Sequence, residues 1–321
     1  MQLFAYHASH EQFPPSALLR HGQLAEQAGF TAISSSDHLR PWSKRQGQSG
    51  FAWAWLGAAM QGSSLPFSAV CAPGQRYHPV IIAQAAATLA ELFPGRFRLA
   101  LGSGEALNER VIGEPWPPKA ERTSRLLECV QIMRALWAGE TVTHYGRVRV
   151  EGAKLYTRPA TPPCLLGAAV TAESARWVGA CADGLLIVGG APETVRRAID
   201  AFHDGGGAGK AVHLQLALSY AGDEAAARQG AYEQWRTNVF PSEVLAELWS
   251  PSQFDAVARF VRPKDLEGAV RISADPRQHL EWLQQDIELG VSDILRHNVN
   301  REQEPFIAAF GEHVLPVLQK V

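Results

Sequence analysis

Eight short apolar runs recur along the chain, and the stretches between them carry their apolar residues at helical spacing. That alternation limits the fold more than any other feature. The runs fall at residues 2–6, 30–35, 67–72, 97–101, 164–169, 185–188, 212–220 and 291–297. Helices are predicted over 14–28, 48–64, 79–93 and 119–138, then up to 181, up to 203, over 277–289 and over 301–319. In the first of them Leu18, Leu19, Leu24, Ala25 and Ala28 line one face, and Gly29 stops it. Strand and helix alternating at this pitch mean parallel pairing with helical crossovers, and eight units of that kind close into a (β/α)8 TIM barrel. Residues 141–150 alternate about a Tyr145-Gly146 turn, which predicts a β-hairpin insertion near residues 140–152. Gly205-Gly206-Gly207 reads as a surface loop, because it lacks the strand-to-helix setting of a phosphate loop. Residues 223–270 read as helical but take no place in the rhythm. No linker divides the chain, so one domain over residues 1–321 is expected.

A barrel needs no special composition, but composition narrows what it can bind. The net charge is −2 and 19% of residues are charged, which leaves no basic field for nucleic acid or an anionic membrane. Cys71, Cys129, Cys164 and Cys181 are scattered among apolar neighbours without a Cys-x-x-Cys pair, so buried free thiols are expected and no metal site. Met1 runs directly into Leu3-Phe4-Ala5-Tyr6 without a charged and apolar leader. No apolar run is long enough to span a membrane, and a cytoplasmic protein is expected.

In such a barrel the loops at the C-terminal strand ends carry function. The second strand runs out into Ser34-Ser35-Ser36-Asp37-His38-Leu39-Arg40-Pro41-Trp42. Histidine titrates nearest neutrality of all side chains, Asp37 could orient or charge its ring, and Trp42 could wall a planar ligand. The fourth strand runs out into Gly102-Ser103-Gly104-Glu105-Ala106-Leu107-Asn108-Glu109, where the glycines let backbone approach a ligand. Glu105 reads equally as a first-turn carboxylate of the next helix. Glu11 follows the first strand, so Glu11, His38 and Glu105 should converge on one mouth. A histidine between carboxylates gains basicity, as proton abstraction from an alcohol or amine requires. No His-x-His pair and no Gly-x-Ser-x-Gly elbow accompany them, which argues against metal and serine hydrolases. His21, His203 and His313 fall in helices and His144 in the hairpin.

These stretches resemble the luciferase-like flavin/F420 oxidoreductase superfamily, and within it the F420-dependent glucose-6-phosphate dehydrogenases. The resemblance is most specific in residues 36–42, in Arg76-Tyr77-His78-Pro79 with Ala83-Gln84, and in residues 102–109. It implies His38 as base, Trp42 beside the reactive ring, Glu105 as the carboxylate that handles a proton there, and Glu11 as a further pocket carboxylate. It implies a non-proline cis peptide at Ala69–Val70 under the cofactor ring. Asp37, Ser103, Gly104 and Asn108 would also contact the cofactor. Backbone amides of Ala168, Ala169, Val170 and Thr171 would hold its phosphate at a helix N-terminus.

Departures from the sugar-phosphate enzymes are informative. Gly189-Gly190-Ala191 stands where their substrate-binding lysine should lie, and Ala269 near their arginine, with Arg271 two residues on. Glucose 6-phosphate is therefore not the expected substrate. The opening Tyr6-His7-Ala8-Ser9-His10-Glu11-Gln12-Phe13 and the later Gln234-Trp235-Arg236-Thr237-Asn238-Val239 resemble an FMN-using sub-branch. The sequence thus predicts an FMN-dependent oxidoreductase acting on a small organic substrate, by dehydrogenation or monooxygenation. The alternatives are an F420-dependent dehydrogenase and a flavin-binding protein without turnover. A homodimer is the expected assembly, with a separate flavin reductase as a further partner.

Overall fold

A computed structural model describes residues 3–319. Eight parallel strands form the barrel: β1 (Leu3–Ala8), β2 (Ala32–Ser35), β3 (Phe67–Cys71), β4 (Phe97–Leu101), β5 (Cys164–Ala169), β6 (Gly184–Val188), β7 (Ala211–Ser219) and β8 (Asp293–Asn298). Each pairs with the next, and β8 closes the ring on β1, with Tyr6 opposite Ile33 on one side and Arg296 on the other. Because side chains alternate along a strand, one set faces the barrel axis and the other faces the helices. Ala5, Ala32, Ala100, Leu166, Leu186 and Leu295, one from each of six strands, pack together inside. Three alanines from one side of the barrel thus meet three leucines from the other strands. Phe4, Tyr6, Ile33, Phe67, Leu99 and Leu185 point the other way into the larger apolar shell under the helices.

The helices Pro15–Gln27, Pro79–Leu92 and Lys119–Ala138 lie within a residue or so of expectation. Residues 48–51 lie outside any helix, and that helix runs only over Ala52–Gln61. The hairpin pairs Val142–Tyr145 with Arg149–Ala153 and docks on the helix before it. Glu128 makes the joint, taking the His144 ring at 3.0 Å and the backbone amides of Arg147 and Val148. All four cysteines are free thiols, Cys71 and Cys129 buried, Cys164 and Cys181 half-buried. Among the described residues no helix is long and apolar enough to cross a membrane.

Two expectations are corrected. The triple glycine is no surface loop: residues His203–Gly207 extend the helix Pro192–Phe202 by one wide turn that packs on the helix Ala172–Cys181. A Cβ on Gly205 would collide with the Arg176 carbonyl, and one on Gly207 would lie 2.5 Å from the Phe202 ring, so backbone touches backbone there. The peptide bonds of the described residues are all trans, Ala69–Val70 included. β3 passes through that bond without a break in its ladder, Ala69 opposite Leu99 and Val70 opposite Ala100.

The stretch left unplaced by sequence becomes the cap of the barrel mouth. After β7 come the helix Glu224–Trp235 and shorter turns including Ser242–Leu245 and Pro251–Val257. They lean on the β2 and β4 loops: Arg40 donates to the Trp249 carbonyl at 2.8 Å, and the Ala106 amide to that of Ala246 at 3.0 Å. Arg271–Ile272 then adds two residues of strand beside Leu218 and Ser219.

Candidate active site

The turn after β1 is built by Ser9, whose carbonyl accepts the amides of Gln12 and Phe13. It swings Glu11 back over the barrel mouth, where the carboxylate is 2% exposed. Its Oε1 lies 2.8 Å from Nδ1 of His38, close but not aligned as a hydrogen bond. Its Oε2 accepts the hydroxyls of Ser9 and Ser36, each at 2.8 Å. Burial alone pushes Glu11 upward, but the His38 ring beside it outweighs that and holds its carboxyl well below the usual range. For His38, burial is the largest single influence and pulls downward, but the carboxylates of Glu11 and, to a lesser degree, Glu105 together outweigh it, so the imidazole lies above its ordinary value. With Nδ1 turned to Glu11, Nε2 is the nitrogen left for a substrate, and 20% of the side chain remains accessible.

Trp42 stands edge-to-face on the His38 ring at 5.0 Å and on Phe254 of the cap at 5.3 Å. Glu105 sits at the N-cap position of the short helix Ala106–Glu109, as its plainer reading requires, yet its side chain makes no capping bond. Its Oε2 is buried without a hydrogen-bond partner among the described residues, and burial pushes the carboxyl up to about 7. Gly104 before it has φ +81°, and a Cβ would meet Glu109 Cγ at 2.8 Å, so only glycine brings the chain into this turn. Glu11, His38, Trp42 and Glu105 are thus brought together.

Asp37 is not. Neighbouring residues of an extended chain point to opposite sides. Its carboxylate turns away from the His38 ring to Tyr77 at 3.0 Å, Trp53 at 3.2 Å and Arg76 at 3.5 Å. Burial raises its pKa, with Arg76 opposing. Glu11 orients the ring instead. Asn108 accepts the amides of Leu39 and Arg40 at 2.9 and 3.2 Å, so its Oδ1 braces the His38 loop. Arg76 is the residue whose part the sequence left unread. It donates to the Asp37 carbonyl at 2.8 Å and reaches Glu109 at 3.6 Å, tying the β2, β3 and β4 loops together. The Arg76-Tyr77 motif was visible in the sequence, but its partners lie 33 and 40 residues away.

Ala168 and Ala169 end β5, and Thr171 caps the helix Ala172–Cys181 by accepting the Ser174 amide at 3.2 Å. Val170 is 60% exposed at that helix N-terminus. The free amides of a helix start suit an anion. With the orphaned Glu105 oxygen and the Gly104 turn, these residues fit a flavin-type phosphate cofactor, whose phosphate the helix start would hold. Arg271 is committed to Asp286 on the helix Pro276–Ile287, with one bond at 2.8 Å, and so is withdrawn from the mouth.

The sequence matches the luciferase-like monooxygenase family over residues 2–293. It is 35% identical to an F420-dependent glucose-6-phosphate dehydrogenase of Beutenbergia cavernae, over 99% of this chain and 98% of that one. The fold superposes with a TM-score of 0.93 on an F420-dependent secondary alcohol dehydrogenase in complex with an F420–acetone adduct, 29% identical, 99% of each chain covered. A monooxygenase from Streptomyces bottropensis shares the fold at 19% identity, covering 99% of this chain and 100% of its own, with a TM-score of 0.76. The barrel, the paired carboxylate and histidine at its mouth and these likenesses agree: the chain is an oxidoreductase and belongs to the luciferase-like monooxygenase family.

Proposed function

We propose that the protein is an F420-dependent dehydrogenase that moves hydride between a small uncharged alcohol and the deazaflavin. The observation that carries this reading is the Glu11–His38 pair, with the second imidazole nitrogen open beside Trp42. F420, when bound, supplies the hydride acceptor. His38 takes the hydroxyl proton of the alcohol at Nε2, and the anionic Glu11 stabilises the imidazolium that results. Glu105, pushed by burial up to about 7, can hold or release a proton near neutral pH on a carboxyl that would face the cofactor edge. Trp42 and Phe254 wall the space and exclude water. Ala168 to Thr171 would hold the cofactor phosphate.

An uncharged substrate is favoured because the mouth carries Glu11 and Glu105, while Arg76 beside it is spent on Asp37 and Glu109. The relatives at 35% and 29% identity are named for F420, whereas the Streptomyces bottropensis monooxygenase, at 19%, shares the fold alone; F420 is therefore preferred over the FMN expected from the sequence. Titration with F420 and FMN side by side, followed by F420 reduction with a panel of secondary alcohols, tests the proposal. F420 binding with alcohol-dependent bleaching at 420 nm (roughly the deazaflavin band) is the expected result. Tight FMN binding without F420 binding would overturn it.

A further inference from the structure

We propose that Ser9 and Ser36 are positioning residues: together their hydroxyls keep Glu11 ionised and turned so that its other oxygen faces His38, and so set the base strength of the pair. The inference rests on the reading of His38 as the base.

The geometry leaves little freedom. Ser36 Oγ accepts the backbone amide of His10 at 3.1 Å, which occupies the oxygen and directs its single hydrogen to Glu11 Oε2. Ser9 reaches the same oxygen from the other side. Ser9, Ser36 and Glu11 are all buried. Two donors on Oε2 fix the rotation of the carboxylate and leave Oε1 for Nδ1 of His38. The other titratable groups around the pair do not replace them. His7 and His10 are driven to about 4 by burial, and His297 well below its ordinary value, so all three are neutral near pH 7. Glu105 faces the pair as a second carboxyl, while Arg76 answers to Asp37 and Glu109. Besides His38 and the backbone amide of Glu11 itself, the two serine hydroxyls are dipoles that compensate the buried Glu11 charge.

Removing them makes Glu11 a stronger acceptor, and the proton then rests on the pair more firmly. Hydrogen bonds to an ionised group are stronger than neutral ones, and a donor to the carboxylate matters most when His38 has lost its proton. The titration point of His38 should therefore rise by roughly half a unit or more in Ser9→Ala/Ser36→Ala, about a threefold gain in proton affinity. The single variants should move it less, and Ser9→Thr, which keeps a hydroxyl, should leave it near the wild-type point.

NMR titration of the histidine Cε1–Hε1 resonances of the full chain without cofactor reads this directly. The His38 peak is identified by its loss in His38→Gln. A His38 titration point unmoved or lowered in the folded double variant overturns the proposal, as does an equal shift in Ser9→Thr. If the double variant does not fold, Ser36→Ala alone decides by the same criterion. Failure of the alcohol dehydrogenase reading is separate: it would appear as absent F420 reduction in wild type, with the NMR shift intact. Where turnover is found, the acidic limb of kcat/KM should move upward with the NMR titration.

Discussion

Replacing Arg76 by methionine tests the part of the structure that sequence reading left without a role. The side chain is 9% exposed, with nitrogens 3.5 Å from Asp37 and 3.6 Å from Glu109. At an effective dielectric of about 20, each contact is an attraction of about 5 kcal/mol before desolvation. Methionine keeps most of the stem volume but leaves two buried carboxylates with neutral donors only. Asp37 retains Tyr77 and Trp53, and Glu109 retains the amide of residue 76. Breaking a buried pair from one side costs about 3–5 kcal/mol, and that is the expected loss near neutral pH. The sign with pH follows from the carboxyls. Burial raises both Asp37 and Glu109 in the native protein while Arg76 opposes it, so Arg76→Met raises them further. A carboxyl raised in the folded state binds its proton more tightly there than in the unfolded chain. Stability then falls as pH climbs from the unfolded value, about 4, through the raised folded value. The deficit of Arg76→Met should be largest at about pH 8 and shrink towards about pH 4. Urea unfolding of wild type and variant at both ends of that range measures it. A deficit below about 1 kcal/mol, or one that does not shrink in acid, would refute the clamp.

Three further outcomes are expected. His38→Ala should lower alcohol-dependent turnover by about 10² to 10⁴-fold while cofactor affinity, measured by titration, stays nearly unchanged; loss of both together would make His38 structural. Glucose 6-phosphate should not reduce F420, since Gly189-Gly190-Ala191 supplies no lysine for its phosphate, Arg271 is tied to Asp286, and a buried unpaired dianion costs several kcal/mol; a rate matching that of an alcohol would sink this. Gly205→Ala should destabilise the fold by about 1–3 kcal/mol in chemical unfolding, because the new methyl overlaps the Arg176 carbonyl; an unchanged midpoint would mean that the two helices can part freely.

The fold was legible where periodicity is local. The strand Cys164–Ala169 and the helix Lys119–Ala138 fall on the residues expected, because alternation and helical spacing are written within ten or twenty positions. The triple glycine was misread for the opposite reason: what demands it is the backbone of Arg176, which no local pattern announces. The cap over 223–270 was opaque likewise, since its short turns gain their stability from the β2 and β4 loops and not from their own propensity. At the site, histidine and carboxylates at strand ends could be found from residue type and position alone. Which carboxylate serves His38 could not. Asp37 is the sequence neighbour, but the pleat turns it outward to Tyr77 and Trp53, and Glu11, 27 residues upstream, occupies Nδ1. The same physics separates the two glutamates of the mouth. Glu11 has two hydroxyls and an imidazole and stays ionised, whereas Glu105 has an orphaned oxygen and rises to about 7. One residue type thus takes two different proton affinities at one barrel mouth, and only the partners supplied by distant strands decide which glutamate can hold a proton for the chemistry and which one serves the base.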